Sequence, residues 1–277
     1  MKRCLRYQII IFSILLFGGS FLIGAASASS TETIVMTGTG SGIGVMQLMA
    51  RGFQKKHPRV IINVLPSIGS TGGIKAVTEG KIDIGLSSRS LKREERSPGI
   101  IDEPYGRIAF IFGVQASNPA KNLTLAEIEE IYAGERKTWS DGTPVRLILR
   151  PLSDAFSIYL MSISPGLKSA AEKAHAIPGV FVGNTDQDAA LQIEKTPGSF
   201  GTTSSSLIAA EKRKIKPLSV EGIPPTPPNV SAGKYPYAMT LYLVYKTDNV
   251  KGAIKDFIEF VFSWDGRKIL SDNGYMN

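Results

Sequence analysis

Three times near the amino end, a strand-like run passes directly into a small, hydroxyl-rich turn that opens a helix or a loop. Residues 33–36 lead into Gly38-Thr39-Gly40-Ser41-Gly42-Ile43-Gly44, and residues 60–65 into Ser67-Ile68-Gly69-Ser70-Thr71-Gly72-Gly73. Residues 82–86 lead into Ser87-Ser88-Arg89-Ser90. Val45, Met46, Met49 and Phe53 follow the first turn at helical spacing. The alternation continues downstream. Residues 108–114 read as strand, and 125–132 as an amphipathic helix capped by Thr124 with Glu127 as its capping-box partner. A strand over 145–149 runs into Arg150-Pro151-Leu152-Ser153-Asp154 and a helix from Ala155. Residues 240–245 read as strand and 254–262 as helix, with 264–270 continuing it. The pattern predicts an α/β protein, a class whose open sheets gather ligands at the carboxyl ends of their strands.

The first 28 residues predict a different fate. Lys2, Arg3 and Arg6 precede an apolar run over 9–23, and Ala26-Ser27-Ala28 supplies an A-x-A cleavage pattern. These features predict a cleaved secretory signal over 1–28 and an extracytoplasmic, periplasmic location. The alternative, a membrane anchor, is disfavoured because the run is shorter than the roughly 20 residues a spanning helix needs. The single cysteine, Cys4, lies in the basic start and does not read as a lipid-attachment site, so residues 29–277 contain no thiol for a disulfide or for thiolate chemistry. The net charge of +8 falls to +5 without residues 1–28, and the excess is scattered. Its densest cluster, Lys212-Arg213-Lys214 with Lys216, reads as a solvated helix end and not as a nucleic-acid patch. A mild positive field favours the capture of small anions.

The glycine- and serine-rich turns have a physical use. The first N–H groups of a helix lack internal partners and carry partial positive charge, so they receive anions, and Ser and Thr hydroxyls add donors. A dinucleotide reading of the first turn fails, because the glycines are not spaced G-x-G-x-x-G and no acidic residue ends the second strand. A phosphate-loop NTPase fails because no G-K-[ST] follows. An enzyme such as a secreted phosphatase is disfavoured: His57 and His175 are far apart in polar stretches and read as surface residues, and no metal-spaced cluster is present. No metal or cofactor is expected.

Gly69-Ser70-Thr71-Gly72-Gly73-Ile74, followed by Gly80-Lys81-Ile82-Asp83-Ile84-Gly85-Leu86-Ser87-Ser88-Arg89, resembles the phosphate-binding proteins of bacterial phosphate ABC importers. Asn118-Pro119 with Leu123-Thr124, Ile131-Tyr132-Ala133-Gly134 before Trp139, Gly233-Lys234-Tyr235-Pro236 with Leu241-Tyr242, and Gly274-Tyr275 match as well. Pro197-Gly198-Ser199-Phe200-Gly201 resembles the family's P-G-A-I-G-Y. The resemblance implies a divergent member with a two-lobed, type II periplasmic binding-protein fold. Each lobe would be a mixed, mainly parallel sheet flanked by helices, with the ligand cleft between. Lobe I would comprise 29–114 and 235–277, and lobe II 115–234, including the stiff connector Pro224-Pro225-Thr226-Pro227-Pro228.

The implied function is capture of inorganic phosphate or a related oxyanion for an ABC permease, by a monomer, without catalysis. The alternative is the same fold used as a sensory or cell-surface binding module with altered or lost phosphate affinity. The implied ligand contacts are Ser41 and Gly42, Ser70 and Thr71, Ser88 and Arg89, and, from the second lobe, Arg150, Ser153 and Asp154. Three departures from the family stand out: Gly42 where Thr is common, Ser88 where some members place an Asp acceptor, and no S-G-T after Arg150. Arg89 contacts ligand or pairs with Asp83 or Glu94. Asp154 caps a helix or replaces the absent acceptor. Tyr235 and Tyr237 pack at a hinge or in the core.

Overall fold

The computed structural model describes residues 31–276; the expected signal over 1–28 lies outside the described residues. The chain begins with β1 (Glu32–Gly38), α1 (Gly40–Gln54), β2 (Val60–Val64), α2 (Gly69–Thr78), β3 (Ile84–Ser87) and β4 (Ile100–Gln115). Next come β5 (Asn122–Leu123), α3 (Leu125–Ala133), β6 (Arg146–Leu149), α4 (Ala155–Ile163), α5 (Pro165–His175), β7 (Phe181–Val182) and α6 (Asp186–Lys195). They are followed by β8 (Ser199–Ser204), α7 (Ser205–Ala210), β9 (Ile215–Pro217), β10 (Ser219–Val220) and α8 (Pro227–Ser231). The chain closes with β11 (Ala238–Lys246), α9 (Gly252–Phe262), α10 (Trp264–Asp272) and β12 (Tyr275–Met276).

The strands run in the order β2-β1-β3-β11-β4-β8-β6-β7, with β9 and β12 also pairing with β4. Around β1 the neighbours β2 and β3 are parallel, and around β6 the neighbours β7 and β8 are parallel. The antiparallel β4 joins these two halves. Its residues 100–109 pair with β11, whereas 110–114 pair with β8. The apolar stretch 108–114 predicts only the second part of this strand. The first part is hidden by Asp102, Glu103 and Pro104; the register against β11 passes from Gly106 to Pro104 and skips Tyr105, a bulge in β4 beside the proline, where a missing N–H is tolerated.

Each half has its own aromatic packing. Phe53 of α1 meets Phe257 and Phe260 of α9 edge-on at 5.4 and 5.6 Å. Across the molecule, Phe200 of β8 packs with Phe112, Tyr132 and Trp139. Burial of these rings adds to that of the many Ile, Leu, Val, Met and Ala side chains around them in driving the packing.

The chain crosses between the halves twice, and the crossings are bonded to each other. The Phe110 N–H donates to the Tyr237 carbonyl at 3.0 Å, and the Tyr235 hydroxyl donates to the Phe110 carbonyl at 2.8 Å. Tyr235 and Tyr237 meet edge-on at 5.2 Å, so both tyrosines sit at this junction. Two expectations are corrected. The proline-rich connector is half helical, because Pro227 and Pro228 occupy the first turn of α8, where a missing N–H is harmless. The carboxy-terminal helix is two helices: Ser263 turns extended and its hydroxyl accepts the Gly266 N–H at 3.2 Å, restarting the chain as α10. The capping box at Thr124 and Glu127 forms as expected.

Candidate ligand-binding site

Because β1, β2 and β3 run parallel, their three hydroxyl-rich turns emerge at one end of the first half-sheet. The parallel β6, β7 and β8 likewise present Arg150, the Gly183-Asn184-Thr185 turn and Ser204. α1 and α2 begin without a side-chain cap, unlike α3 to α7, each of which carries one. Their first-turn N–H groups are therefore left for other acceptors.

The polar groups form one chain of contacts. The Ser70 hydroxyl lies 3.1 Å from the Ser88 hydroxyl and accepts the Ser88 N–H at 3.0 Å. Thr39 Oγ1 lies 3.4 Å from both Ser88 Oγ and Asp186 Oδ2, long contacts and hence weak ones. Asp186 Oδ2 accepts the Ser41 N–H at 3.1 Å, and its Oδ1 stands 3.7 Å from Arg150 Nη2. Arg150, only 4% exposed, also donates from Nη2 to Asp154 Oδ2 at 2.9 Å and from Nη1 to the Gly183 carbonyl at 3.1 Å. With Nε 3.4 Å from Asp154 Oδ1, the remaining N–H groups of Nη1 and Nη2 point away from Asp154.

Ser41, Ser70, Ser88, Arg150 and Asp154 are thus brought together. Asp154 caps a helix, as one of its two expectations had it: Oδ1 accepts the Phe156 N–H at 2.9 Å at the start of α4, and the carboxylate also pairs with Arg150. Gly42 lies in the same helix start, but its N–H is taken by the Thr39 carbonyl at 3.1 Å. A Cβ at Gly42 would stand 2.9 Å from the Tyr105 hydroxyl, so Tyr105 fills the space that a larger residue there would need. Thr71 and Ser153 are exposed at the rim, lining one crevice of about 220 Å³ with Ser70 and Asp154. Arg89 turns aside. Its guanidinium forks onto Glu95 at 2.6 and 2.7 Å and donates to Thr71 Oγ1 at 3.1 Å, so the partner is neither Asp83 nor Glu94.

Two members of the cluster, Thr39 and Asp186, have no place among the residues expected from sequence. His175, expected at the surface, is half-buried, with Nε2 2.8 Å from the Arg150 carbonyl and Nδ1 2.8 Å from the Ala171 carbonyl. The Ser157 hydroxyl donates to the same Arg150 carbonyl at 3.0 Å, fixing the strand end that carries the guanidinium.

Burial pushes the Asp186 carboxyl up to about 6; Arg150 and the Ser41 N–H pull the other way, and Asp154 adds to the rise. Burial works to lower the Arg150 guanidinium, but Asp186 and then Asp154 outweigh it and hold it above its ordinary value. One cation faces two carboxylates. Tyr105 and Tyr275 are also driven up by burial, so both are neutral donors beside Ser41, whose carbonyl accepts from Tyr275 at 3.1 Å.

Comparison with known proteins places the chain in a family. The chain is 25% identical over 234 residues to the phosphate-binding protein PstS of Bacillus subtilis, covering 82% of this chain and 74% of that one. It is 27% identical over 248 residues to the protein SphX of Synechococcus elongatus, covering 80% of this chain and 71% of that one. Among solved structures, a protein of Clostridium perfringens described as a phosphate ABC transporter substrate-binding protein, with bound phosphate, superposes with a TM-score of 0.75. It is 25% identical, and the match covers 89% of this chain and 99% of that one. The fold is that of the type II periplasmic binding proteins. A family model described as a PBP superfamily domain matches residues 24–265, and the chain belongs to that family.

Proposed function

We propose that the chain is an extracytoplasmic solute-binding protein that captures phosphate, or a closely related oxyanion, and presents it to an ABC permease. The observation that carries this reading is the chain of contacts through Asp186 and Thr39 that links buried Arg150 to the start of α1 and to the Ser70–Ser88 hydroxyl pair. An oxyanion needs several directed donors in a dry place. A guanidinium offers two parallel N–H groups, a helix start offers backbone N–H groups, and hydroxyls complete the shell. Arg150 would engage the ligand through the Nη1 and Nη2 hydrogens not held by Asp154 and Gly183. The phosphate-binding relatives and the phosphate-bound neighbour support phosphate as the first ligand to test.

Residues 29–114 with 235–277, and residues 115–234, act in this reading as two lobes. The junction where Phe110 bonds to Tyr235 and Tyr237 is the hinge. Ligand held from both lobes closes them, and the closed form is what a permease recognises. Secretion by the residue 1–28 signal and action as a monomer complete the reading. No helix among the described residues is long and apolar enough to cross a membrane. The reading contains no chemical step.

Isothermal titration with phosphate, sulfate, molybdate and phosphonates is the test. Phosphate binding without turnover, lost in Arg150→Ala, is expected. Silence toward every anion would refute the transport reading and favour a sensory or cell-surface binding module.

A further inference from the structure

Asp186 is the first residue of α6, yet it does not serve its own helix. Thr185 caps α6, its hydroxyl accepting the Asp188 N–H at 3.0 Å while Asp188 returns the bond to the Thr185 N–H at 3.1 Å. The Asp186 carboxylate, 7% exposed, is instead directed at the start of α1, 145 residues away in sequence. Gln187 follows it, donating to the Gly40 carbonyl at 3.1 Å and to Glu211 Oε1 at 2.8 Å. A Cβ at Gly40 would collide with both Asp186 and Gln187, so the close approach of α6 to α1 is built into the backbone.

We propose that Asp186 is a resident competitor for the oxyanion: its carboxylate uses the Ser41 N–H, the Thr39 hydroxyl and the Arg150 guanidinium, and the ligand binds by displacing it. The proposal rests on the functional reading above and adds to it that binding is an exchange of one anion for another. The Ser41 N–H, the Thr39 hydroxyl and the Arg150 guanidinium that the ligand gains are taken from Asp186, so affinity reports a difference between two anions and not only a sum of new bonds. Because the Ser70–Ser88 pair reaches Arg150 only through Thr39 and Asp186, an oxyanion spanning these groups must take the place of the carboxylate.

The charged and titratable groups around Asp186 fix the pH dependence. Arg150 and Asp154 face it from the β6–α4 corner, the α1 start faces it with N–H groups, and Asp188 lies on its own helix. Glu211, tied to Arg213, approaches through Gln187, and His175 backs the Arg150 carbonyl. Burial raises the Asp186 carboxyl to about 6, the sign of a carboxylate whose desolvation its donors do not fully offset. As pH falls through that value the carboxyl takes a proton and loses its claim on the Ser41 N–H. The competitor weakens in acid.

The test compares wild type with Asp186→Asn and Asp186→Ala by phosphate titration calorimetry from about pH 5 to about pH 8. Comparison at each pH cancels the ligand's own protonation. At neutral pH both variants are expected to bind phosphate about tenfold or more tightly, the order for removing one like charge from a partly buried site. The gap should close as pH falls through about 6. Small-angle scattering of Asp186→Ala in phosphate-free buffer should show a more extended particle that phosphate compacts. The near-isosteric Asp186→Asn keeps the comparison open should the alanine variant fold poorly. Variants that bind no tighter than a phosphate-binding wild type overturn the competitor and leave the functional reading intact. A wild type silent toward phosphate whose variants bind it supports the competitor. Silence of all three with unchanged scattering overturns it.

Discussion

Replacing Arg150 with methionine removes the cation that faces buried Asp186 and half-buried Asp154 while keeping an unbranched stem. Its Nη2 lies 2.9 Å from Asp154 Oδ2 and 3.7 Å from Asp186 Oδ1. At an effective dielectric of about 20, unit charges at such separations attract by roughly 4–6 kcal/mol each, before desolvation takes much of it back. The balance is not the measured quantity, however. The variant leaves buried Asp186 and half-buried Asp154 without their counter-ion, and breaking a buried pair from one side costs about 3–5 kcal/mol. In a chain of this size that lowers the melting temperature by about 6–20 °C. Urea unfolding at neutral pH measures the loss. Adding Asp186→Asn should recover at least about 1 kcal/mol, a coupling typical of contacting groups. Acid should narrow the deficit. The Asp186 carboxyl, raised by burial, holds its proton more tightly when folded than when unfolded, and loss of Arg150 adds to that rise, so its stabilising contribution is present at low pH and lost as pH rises through the raised folded value. A loss below about 1 kcal/mol, or strict additivity in the double variant, would refute charge balance as the role of Arg150.

Gly42→Ala should destabilise by about 1–2 kcal/mol through overpacking against the Tyr105 hydroxyl, 2.9 Å from the new methyl, and Tyr105→Phe should restore part of it in thermal melts. Absence of any rescue would show that the Leu86 side chain, at 3.3 Å, is the true obstacle. Tyr235→Phe leaves the buried Phe110 carbonyl without its 2.8 Å donor and should cost about 1–3 kcal/mol in urea unfolding. An unchanged midpoint would remove that bond from the account of the hinge. Asp154→Asn separates cap from charge: asparagine caps as well as aspartate, so stability should hold within about 1 kcal/mol. Oxyanion affinity measured by calorimetry should rise, because one carboxylate facing Arg150 is gone. Weaker binding would make Asp154 an acceptor for a protonated ligand oxygen.

The start of α1 is held from two directions. From the junction side, Ser204 donates to Ser41 Oγ at 3.0 Å and Ser206 to the Ser41 carbonyl at 2.9 Å, with Tyr275 joining them. Ser204 also pairs with Phe110, the residue at which β4 changes partner, and Ser205 accepts the Ala109 N–H at 3.1 Å. These bonds lie beside the crossing and have short lever arms. The Asp186 bond to the Ser41 N–H comes from α6 and is not part of that junction. A rotation about the crossing, as the proposed hinge requires, would therefore strain the Asp186 contact more than the serine contacts.

Local requirements are what a sequence displays, and the site divides along that line. Arg150, Ser41, Ser70 and Ser88 are legible because each sits where a strand ends and a helix or loop begins, a position that demands particular backbone and donor chemistry. The helix at Thr124 is legible because cap and partner lie three residues apart. Arg89 is harder: the short turn Arg93–Glu95 swings Glu95 and not Glu94 onto the guanidinium, a distinction of one residue that composition does not carry. Thr39 stands inside a turn that draws notice, but its failure to cap α1, which frees its hydroxyl, is a matter of backbone geometry. Asp186 is hidden most completely. An acidic residue in the first turn of a helix, behind a threonine cap, is an ordinary stabilising choice. Its role arises only because β7 delivers α6 against the start of a helix from the other half of the sheet. The donors that suggest an anion are local, but the anion they already hold arrives through tertiary structure.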